Sequence, residues 1–548
     1  MEDISNGQNN QQEVFYAHTP RPGSRIWHEL GEHLLGTGKG AGNFAEFFGA
    51  KDIAYLLGVW HDLGKFNPKF RSYLIAQYEG NYHPSEPHAI WGAALAYKLF
   101  LNSARWHEIA MPILGHHAGL HDQGDAENKL RSFLDQNPRA LDIMRSNLQK
   151  LKVKMPTLKM PEQNPHQREL FVRMIFSALV DADYLDTEKH FDPNQAKQRK
   201  SPPTICSLWH TLESAQQKIL NESTVVNRIR KQVYESCLNA ATLKPGLFRL
   251  TVPTGGGKTR SGLAFALRHA LKNDLFRVIV AIPYTSITTQ TAQTYRDIFG
   301  DGALLEHHSA IPLQDDKNDR QDTDYLRRKL ASENWDASLI ITTTVQLFES
   351  LFSNRPSKVR KLHRLARSVI ILDEVQTLPL ELLAPTLDVL KILSTPIECG
   401  GYGASIVLCT ATQPAFEESR WLDAFQGAEI REIVPDYPRH FAELAQIGRV
   451  EYSVRSEMTW KVLADEIRTK SQVLVVLNTR KDALALLKSL DDTADVFHLS
   501  TLLCGAHRQA VLAEVKTRLD LDNPRPVRLI STQVVEAGVD IDFPEVWR

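Results

Sequence analysis

Histidines and aspartates recur through the first third of the chain in a pattern that favours metal chemistry. His61 and Asp62 are adjacent at the end of an apolar, helical stretch. An adjacent His and Asp can face one metal only with help from other helices. The further candidates are His28, His33, His88, His116, His117, Asp181 and Asp183. Imidazole and carboxylate ligands together favour Mn, Fe, Co or Ni over a structural zinc site.

Such a cluster is suited to phosphate chemistry. Two metal ions about 4 Å apart activate a water and stabilise both oxygens of an in-line phosphoryl displacement. Lys65, one turn further on, is a candidate to neutralise the scissile phosphate as a point charge. Asp181 and Asp183 lie on different faces of one predicted helix, since each residue turns by about 100°, so only one is expected to be a ligand. His28 and His33 present a similar choice, which the sequence leaves open.

A glycine-rich loop in the middle of the chain has the chemistry of a nucleotide-phosphate site. It follows a predicted strand at 248–252 and consists of Pro253, Thr254, Gly255, Gly256, Gly257, Lys258 and Thr259. Glycines let backbone N–H groups point at phosphate, and the N-terminus of the following helix adds a positive dipole. We expect Lys258 to reach the β- and γ-phosphates of ATP and Thr259 to hold Mg²⁺.

An acidic pair supports this interpretation. Asp373 and Glu374 end an apolar strand at 369–372, about 115 residues after the glycine-rich loop. We expect Asp373 to coordinate Mg²⁺ and Glu374 to polarise the attacking water. The loop departs from the strict phosphate-loop pattern, which requires a glycine where this chain has Val252. The form present here resembles the one that superfamily 2 helicases use.

The elements expected around the two sites differ in type. Apolar residues recur at helical spacing at 52–60, 89–100 and 169–185. Short β-branched strands then alternate with helices, at 248–252, 278–282, 339–343, 369–372, 406–408, 473–477 and 527–530. This alternation implies parallel sheets built from βαβ units. We predict a helical domain at 15–190, a linker at 191–225, an α/β domain at 226–435 and an incomplete second α/β domain at 436–548.

Length and composition limit the possible classes of protein. The 548 residues are too many for one hydrophobic core, and 43% apolar with 24% charged residues is typical of globular domains. The net charge of −1 gives no overall field that attracts nucleic acid, so any surface that binds it would have to consist of local basic clusters. The five cysteines form no C-x-x-C pair, and the chain has neither a signal core nor an apolar membrane span. These features favour a cytoplasmic chain without membrane contact.

Together these motifs resemble the CRISPR-associated HD-nuclease/helicase, the signature protein of type I interference, over roughly residues 15 to 548. The resemblance implies a multidomain fold: an all-α HD-type metal phosphohydrolase domain followed by an α/β superfamily 2 helicase with RecA-like parallel sheets. It implies two divalent transition-metal ions and ATP with Mg²⁺ as cofactors. It also implies cleavage of single-stranded DNA and 3′-to-5′ helicase activity in antiviral defence. The implied partners are single-stranded DNA and the surveillance complex, whose guide RNA reads the sequence.

Carried over residue by residue, the resemblance assigns a ligand set and further helicase motifs. The implied metal ligands are His33, His61, Asp62, His88, His116, His117 and Asp183. Asp62, Lys65 and Glu374 are expected to act in catalysis. Segments 283–286, 342–344, 410–412, 477–480 and 531–540 look like the strand-contacting and coupling motifs of the two RecA-like domains. The segments 306–309 and 373–376 look most like subtype I-C.

The end of the chain and two alternative functions complete these expectations. The chain ends at Arg548, before the arginine-finger motif and accessory domain of the relatives. Arginine fingers contribute about 10³–10⁵ in rate, so we expect ATP to be bound better than hydrolysed. We also expect an unpaired edge in the second sheet.

Two alternative functions remain open. One is an HD nucleotide phosphohydrolase, which the linked phosphate loop argues against. The other is a non-catalytic recruitment module, which the complete ligand set argues against.

Overall fold

The computed structural model describes residues 14–103, 105–151, 158–199, 201–218, 224–309, 323–410, 425, 429–447, 451–490, 494–535 and 541–548. Ala411 and Thr412 of the predicted coupling motif, and residues 536–540 of the last motif, lie outside these ranges. Within them, no helix combines the length and the apolar character that are needed to cross a membrane.

The first part of the chain is a helical domain, as predicted. A short antiparallel pair of strands, β1 (Tyr16–His18) and β2 (His28–Glu29), precedes the helices. The helices are α1 (Leu30–Glu46), α2 (Lys51–Trp60), α3 (Pro68–Tyr78), α4 (Ala89–Phe100), α5 (Trp106–Gly115), α6 (Gln123–Gln136), α7 (Ala140–Lys150) and α8 (Pro165–Phe191). The 27-residue α8 begins at a capping box, in which Asn164 and Gln167 each accept a hydrogen bond from the other's backbone N–H.

Close helix contacts hold the centre of this domain together. A Cβ atom built on Gly58 of α2 would lie 2.5 Å from the Cα atom of Gly38 on α1, so the two helices can approach this closely only because both residues are glycines. Helix α8 packs against α1 as well, and a Cβ on Gly40 would lie 3.1 Å from the Cβ of Ala182. These two approaches bring the metal-ligand candidates of three helices to one region.

The second part of the chain is an α/β domain. Its helices are α9 (Pro193–Gln198), α10 (Ile205–Gln217), α11 (Val225–Ala240), α12 (Lys258–Lys272), α13 (Thr285–Phe299), α14 (Thr323–Asn334), α15 (Thr344–Phe352), α16 (Pro356–Val359), α17 (Leu383–Ser394) and α18 (Tyr437–Gln446). Its strands are β3 (Leu247–Thr251), β4 (Arg277–Ile282), β5 (Leu305–His307), β6 (Leu339–Thr343), β7 (Ser368–Asp373), β8 (Ser405–Thr410) and β9 (Ile430–Glu432).

These strands form the predicted parallel sheet, in the order β5-β6-β4-β7-β8-β3-β9. The two edge strands, β5 and β9, have three residues each, too few to produce a recognisable pattern in the sequence. Because all strands run the same way, their carboxyl ends meet at one edge of the sheet. The predicted nucleotide and strand-contacting motifs lie at that edge.

A second, smaller sheet follows. Its strands are β10 (Gln472–Leu477), β11 (Val496–Leu499), β12 (Val527–Thr532) and β13 (Val546–Trp547), and its helices are α19 (Trp460–Arg468), α20 (Arg480–Leu490) and α21 (Gly505–Arg518). The strands are parallel, in the order β11-β12-β10-β13. The described part of this region thus has the same βαβ construction as the first α/β domain.

The structure differs from the predicted domain boundaries at two places. Residues 191–225, predicted as a linker from their polar and proline-rich start, include α10, whose Leu208, Trp209 and Leu212 are buried in the core of the first α/β domain. Helix α18, which follows the predicted boundary at 435, buries Leu444 in the same core. In both cases the apolar face of a short helix decides the packing, although the neighbouring residues are polar.

The helical domain and the first α/β domain share an interface. One hydrophobic cluster of buried residues extends through both, and at the interface the rings of Phe48 and Tyr402 are 5.5 Å apart. A polar contact adds to it, because Gln167 of α8 donates to the carbonyl of Cys399 at 3.0 Å. The metal-site candidates and the nucleotide loop therefore belong to domains that are packed together.

Candidate metal centre and nucleotide site

Histidines and aspartates from three helices meet at one point of the helical domain. The Nε2 atoms of His33 on α1 and His61, directly after α2, are 3.2 Å apart. Asp62 Oδ2 lies 3.4 Å from His33 Nε2 and 3.3 Å from His61 Nε2. Asp183 Oδ1 on α8 is 3.5 Å and 3.6 Å from the same two nitrogens. This first group is almost fully buried.

A second group adjoins it through the other carboxylate oxygen of Asp62. Asp62 Oδ1 lies 3.3 Å from His88 Nε2 and 3.4 Å from His116 Nε2. His88 Nε2 is 2.9 Å from the Nε2 of His117, whose side chain is exposed. The two oxygens of Asp62 thus face two neighbouring sets of nitrogens, an arrangement that fits a carboxylate placed between two cations.

The hydrogen bonds of the ring Nδ1 atoms determine which nitrogen faces the cluster. His61 Nδ1 donates to the carbonyl of Gly58 and His116 Nδ1 to the carbonyl of Ile113, both at 2.7 Å. A carbonyl only accepts, so Nδ1 carries the proton and Nε2 directs its lone pair at the cluster. In histidines that bind metals in proteins, one ring nitrogen is the ligand and the N–H of the other donates a hydrogen bond, as it does here.

The residues present fit a bound cation. Asp62 Oδ1 and His116 Nε2 are buried, and neither makes a well-aligned hydrogen bond with any residue in the described ranges. Burying such atoms without partners is costly, and a metal ion would satisfy both. Burial lowers the pKa of His61, but the Asp62 and Asp183 carboxylates more than offset this and raise it to about 10. The carboxylates therefore favour a positive charge at His61 Nε2, which is a proton when no metal is bound and the cation when one is.

The structure gives the two members of each pair that the sequence left open different surroundings. His33 lies inside the first group, whereas His28 lies beside it, with Nε2 3.4 Å from Asp186 and its ring stacked on that of His190 at 4.6 Å. Asp183 faces the histidines, whereas the Asp181 carboxylate is 2.9 Å from the Arg360 guanidinium at the interface with the α/β domain. The geometry thus brings together all seven ligand candidates implied by the resemblance.

Lys65 has a different environment from the one its predicted role requires. Its ammonium lies 2.6 Å from Asp62 Oδ2 and donates to the carbonyl of Ala17 at 3.2 Å, and the residue is only 3% exposed. The lysine is therefore engaged with a candidate metal ligand rather than held open for a scissile phosphate. In this arrangement its charge orients the Asp62 carboxylate.

The glycine-rich loop connects β3 to α12. Gly255 and Gly257 have φ of 80° and 87°, in the left-handed region that side chains avoid, and Gly257 is the residue immediately before α12. Thr254 and Thr259 are exposed, and a Cβ on Gly256 would lie 2.8 Å from Val252. The first backbone N–H groups of a helix have no partner within it, so the start of α12, with the helix dipole, is suited to bind a phosphate.

The acidic pair lies opposite the loop. Lys258 Nζ is 2.9 Å from Asp373 Oδ1 and also pairs with the carboxylate of Glu374. Burial would lower the pKa of Lys258, but the Asp373 carboxylate raises it well above its ordinary value. Glu374 has a φ of 48°, unusual for a residue other than glycine, and this turn directs its side chain back towards the loop. All three groups are thus within reach of one bound phosphate and its Mg²⁺.

The remaining predicted motifs lie at the carboxyl ends of strands in both sheets. Segments 283–286 and 342–344 are at the carboxyl ends of β4 and β6, and Thr410 ends β8. In the second sheet, 477–480 and 531–533 follow β10 and β12 in the same way. Tyr284 and Val345 are 45% and 60% exposed, so this edge presents apolar as well as hydroxyl groups.

Several contacts of the sites were not foreseen from the sequence, among them that of His18, which lies with His28 and His33 in a further group of possible metal ligands. Asp186 accepts a hydrogen bond from His33 Nδ1 at 2.8 Å. Asp186 follows Asp183 by three residues on one helix, and this spacing places both on one face. The spacing could therefore have predicted that Asp186 lies near the cluster. Arg230 of α11 donates to the carbonyl of Gly255 at 2.9 Å, and no local pattern links it to the loop.

Fold and site together define a class: an HD-type metal domain packed against a superfamily 2 helicase core. Family models agree with this division. The model "Cas3, HD domain" matches residues 19–185, "DEAD/DEAH box helicase" matches 227–419, and "CRISPR-associated nuclease/helicase Cas3, C-terminal" matches 469–547. These matches confirm the resemblance to the CRISPR-associated HD-nuclease/helicases. The family's HD and helicase domains imply the use of a divalent metal ion and of ATP with Mg²⁺.

Individual relatives show the same relationship. The chain is 30% identical over 275 residues to the CRISPR-associated nuclease/helicase Cas3 of Haloferax volcanii, covering 44% of this chain and 29% of that one. It is 28% identical over 313 residues to the protein of the same name from Methanothermobacter thermautotrophicus, covering 54% and 35%. The chain thus matches about a third of the length of these curated relatives.

Solved structures confirm the fold. The crystal structure of T. fusca Cas3-ATP superimposes with a TM-score of 0.65 at 16% identity, over 97% of this chain and 70% of that chain. A chain in the structure of a CRISPR RNA-guided surveillance complex, pre-nicking, gives a TM-score of 0.57 at 15% identity, over 97% and 69%. At these identities the likeness concerns the architecture alone.

Proposed function

We propose that this chain is a metal-dependent nuclease that cuts single-stranded DNA, joined to an ATP-driven translocase that moves 3′ to 5′ along it. The observation that carries the proposal is the cluster around Asp62, where seven candidate ligands converge and the Nδ1 hydrogen bonds of His61 and His116 turn the Nε2 atoms of the same rings inward. The phosphate loop and acidic pair on the adjoining domain supply the second activity. CRISPR antiviral defence, with DNA presented by a guide-RNA surveillance complex, is the setting that the family supports.

The residues of the cluster have distinct roles in this proposal. His33, His61, Asp62 and Asp183 would hold one cation, and Asp62, His88, His116 and His117 would hold the other. Bound divalent ions supply an activated water and neutralise charge on the scissile phosphate. Lys65 holds one oxygen of Asp62 in place, while Gly58 and Ile113 fix the rings of His61 and His116.

The shape of the cluster favours a polymer over a small nucleotide. His33, His61 and His116 are at most 1% exposed, whereas His117 is exposed and the His88 side chain is 19% exposed. The cluster therefore opens to solvent on the side of His88 and His117. A strand can lie across such an opening, whereas an HD nucleotide phosphohydrolase is expected to enclose its substrate.

In the second site, Lys258 and Glu374 have different roles in phosphoryl transfer. Lys258 is placed to leave its carboxylate partners for the β- and γ-phosphates when ATP binds. Asp373 is then available to Mg²⁺, and Glu374 to the attacking water. The exposed Tyr284 and Thr479, which follow β4 and β10, would contact the strand backbone and bases without reading sequence.

Cleavage of circular single-stranded DNA without ATP tests the nuclease. We expect cutting with Mn²⁺ or Co²⁺, none with EDTA, and none from Asp62→Ala in either metal. Hydrolysis of dNTPs by a protein that leaves single-stranded DNA intact would support the phosphohydrolase instead. A folded protein that retains less than one metal ion per chain and cuts nothing would support a non-catalytic recruitment module.

A further inference from the structure

Helix α8 connects the metal cluster with the α/β domain. Asp183 faces the histidines, while Asp181, two residues earlier, is turned by about 200° and points the other way. Asp181 is fully buried, with no exposed surface. A carboxylate in such a position needs partners, because an unpaired buried charge is strongly unfavourable.

The α/β domain supplies those partners. Arg360, which follows α16, places its Nε and Nη2 atoms 3.0 Å and 2.9 Å from Asp181 Oδ1. Asn334, the last residue of α14, donates to Asp181 Oδ2 at 3.1 Å. Arg360 and Asn334 are 5% and 1% exposed, so the network is shielded from water and from salt.

Arg360 also contacts the residue on the other side of Asp183. Its guanidinium lies over the ring of Tyr184, 4.5 Å from the ring centre. One side chain of the α/β domain thus holds the two residues, Asp181 and Tyr184, that enclose Ala182 and Asp183. A shift of this turn would move the Asp183 carboxylate relative to His33 and His61.

Stability alone does not explain a buried ion pair at this place. Apolar residues of similar volume are often as stable or more stable than a buried pair, since both charges lose their hydration. What the pair provides is direction: the hydrogen bond from Arg360 Nε to Asp181 Oδ1 and the contact of the guanidinium with the ring of Tyr184 together define one orientation. That orientation is imposed next to a candidate metal ligand.

We propose that Arg360 is a positioning residue for the metal centre, through which the first α/β domain fixes the Asp183 turn of α8. The inference rests on the proposed metal-dependent function of that cluster. Its consequence is that the geometry of the metal centre depends on the docked helicase domain and not on the helical domain alone. Among the described contacts, Arg360 touches none of the seven candidate ligands of the cluster around Asp62.

Cobalt binding by the full chain tests this directly. Co²⁺ is titrated into metal-free wild type and Arg360→Met, and the visible spectrum reports both affinity and ligand geometry. We expect Arg360→Met to bind Co²⁺ about 10-fold or more weakly, as for other residues that orient ligands, with a changed spectrum. Arg360→Lys, which keeps the charge but offers one nitrogen, should recover part of the affinity.

Arg173→Met is the matched control. Arg173 lies on the same helix and donates to the carbonyl of Ser353 in the α/β domain at 2.6 Å, but is ten residues from Asp183. The Arg173→Met substitution removes an arginine contact across the same interface and should leave the Co²⁺ affinity and the visible spectrum unchanged. Equal losses in Arg173→Met and Arg360→Met would overturn the proposal, since the effect would then be general loosening of the interface.

A double variant covers the case in which Arg360→Met fails to fold. Asp181→Leu with Arg360→Met removes both charges, which a protein core tolerates better than one unpaired charge. It should fold and still bind Co²⁺ weakly. Wild-type affinity in this variant would overturn the proposal. A wild type that binds no Co²⁺ at all would instead refute the metal site, and so the proposed function.

Discussion

Asp186 accepts a hydrogen bond from Nδ1 of His33 across 2.8 Å, one helical turn beyond Asp183. The same helix therefore presents one carboxylate to the Nε2 side of His33 and another to its Nδ1 side. Carboxylates that bond the second nitrogen of a metal-binding histidine fix its orientation and strengthen it as a ligand.

Asp186→Asn should lower metal affinity by about 10- to 100-fold while the protein stays folded, because the His33 ring loses its charged partner. Co²⁺ titration of the full chain measures this. Glu188→Gln is the matched control, since Glu188 lies on the same helix but pairs with Arg199 at 2.7 Å. Equal affinities of Asp186→Asn and wild type would show that the contact does not support the site.

Lys65→Met should make the protein more dependent on bound metal. Without the ammonium, the nearly fully buried Asp62 carboxylate has lost its strongest cationic neighbour, which costs on the order of 3–5 kcal/mol. A bound metal ion offsets that loss, so EDTA should lower the melting temperature of Lys65→Met more than that of wild type. If the two shifts are equal and only the KM for DNA rises, Lys65 acts on the substrate as the sequence predicted.

Lys258→Ala should remove ATP binding and leave ATP-independent nicking of naked single strands intact, because Lys258 pairs with Asp373 and Glu374 and not with the metal cluster. Asp62→Ala should show the reverse. ATP binding by calorimetry and nicking of circular single strands are measured on the same preparations. Loss of nicking in a folded Lys258→Ala variant would contradict the two-site arrangement.

Gly58→Ala should weaken both folding and metal binding. The added Cβ would meet the backbone of Gly38 at 2.5 Å, so α1 and α2 must separate, at a cost of about 1–3 kcal/mol. The separation moves His61 away from His33, and we expect weaker Co²⁺ binding along with a lower melting temperature. Gly124→Ala, where nothing lies within 4 Å, is the control and should lower neither the melting temperature nor the Co²⁺ affinity.

His269 should contribute an acid-sensitive step to the stability of the α/β domain. Burial lowers the pKa of His269 from 6.5 to about 4, and its Nε2 lies 2.8 Å from Ser405 Oγ, against β8. The unfolded chain takes up a proton first as the pH falls, so stability is lost between pH 6.5 and 4, on the order of 3 kcal/mol in total. Arg431 is the charged neighbour that lowers the pKa further.

Urea unfolding of wild type and His269→Gln at several pH values checks this prediction. The variant should be less stable near neutral pH and should lose less stability on acidification. His210→Gln, at an exposed position, serves as control and should follow the wild-type profile. Parallel pH profiles for wild type and His269→Gln would show that His269 is not responsible.

Several features of this fold could be predicted from single segments. The strand before the phosphate loop, the helix after it and the acidic pair at the end of β7 each have a local pattern, and the structure confirms the parallel sheet that they imply. The edge strands β5 and β9, and the burial of α10, were not predicted. Three-residue strands have no periodicity, and a polar neighbourhood hides the apolar face of a short helix.

The sequence by itself determined the types of group available: imidazoles, three candidate aspartates and a glycine-rich loop with its lysine. It could not choose between Asp181 and Asp183, because both lie on one helix and the choice depends on what packs against each face. The tertiary structure decides it by placing His33 and His61 on one side of α8 and Arg360 on the other. The contact between Asp181 and Arg360 spans 179 residues, and such a distance in sequence carries no local signal.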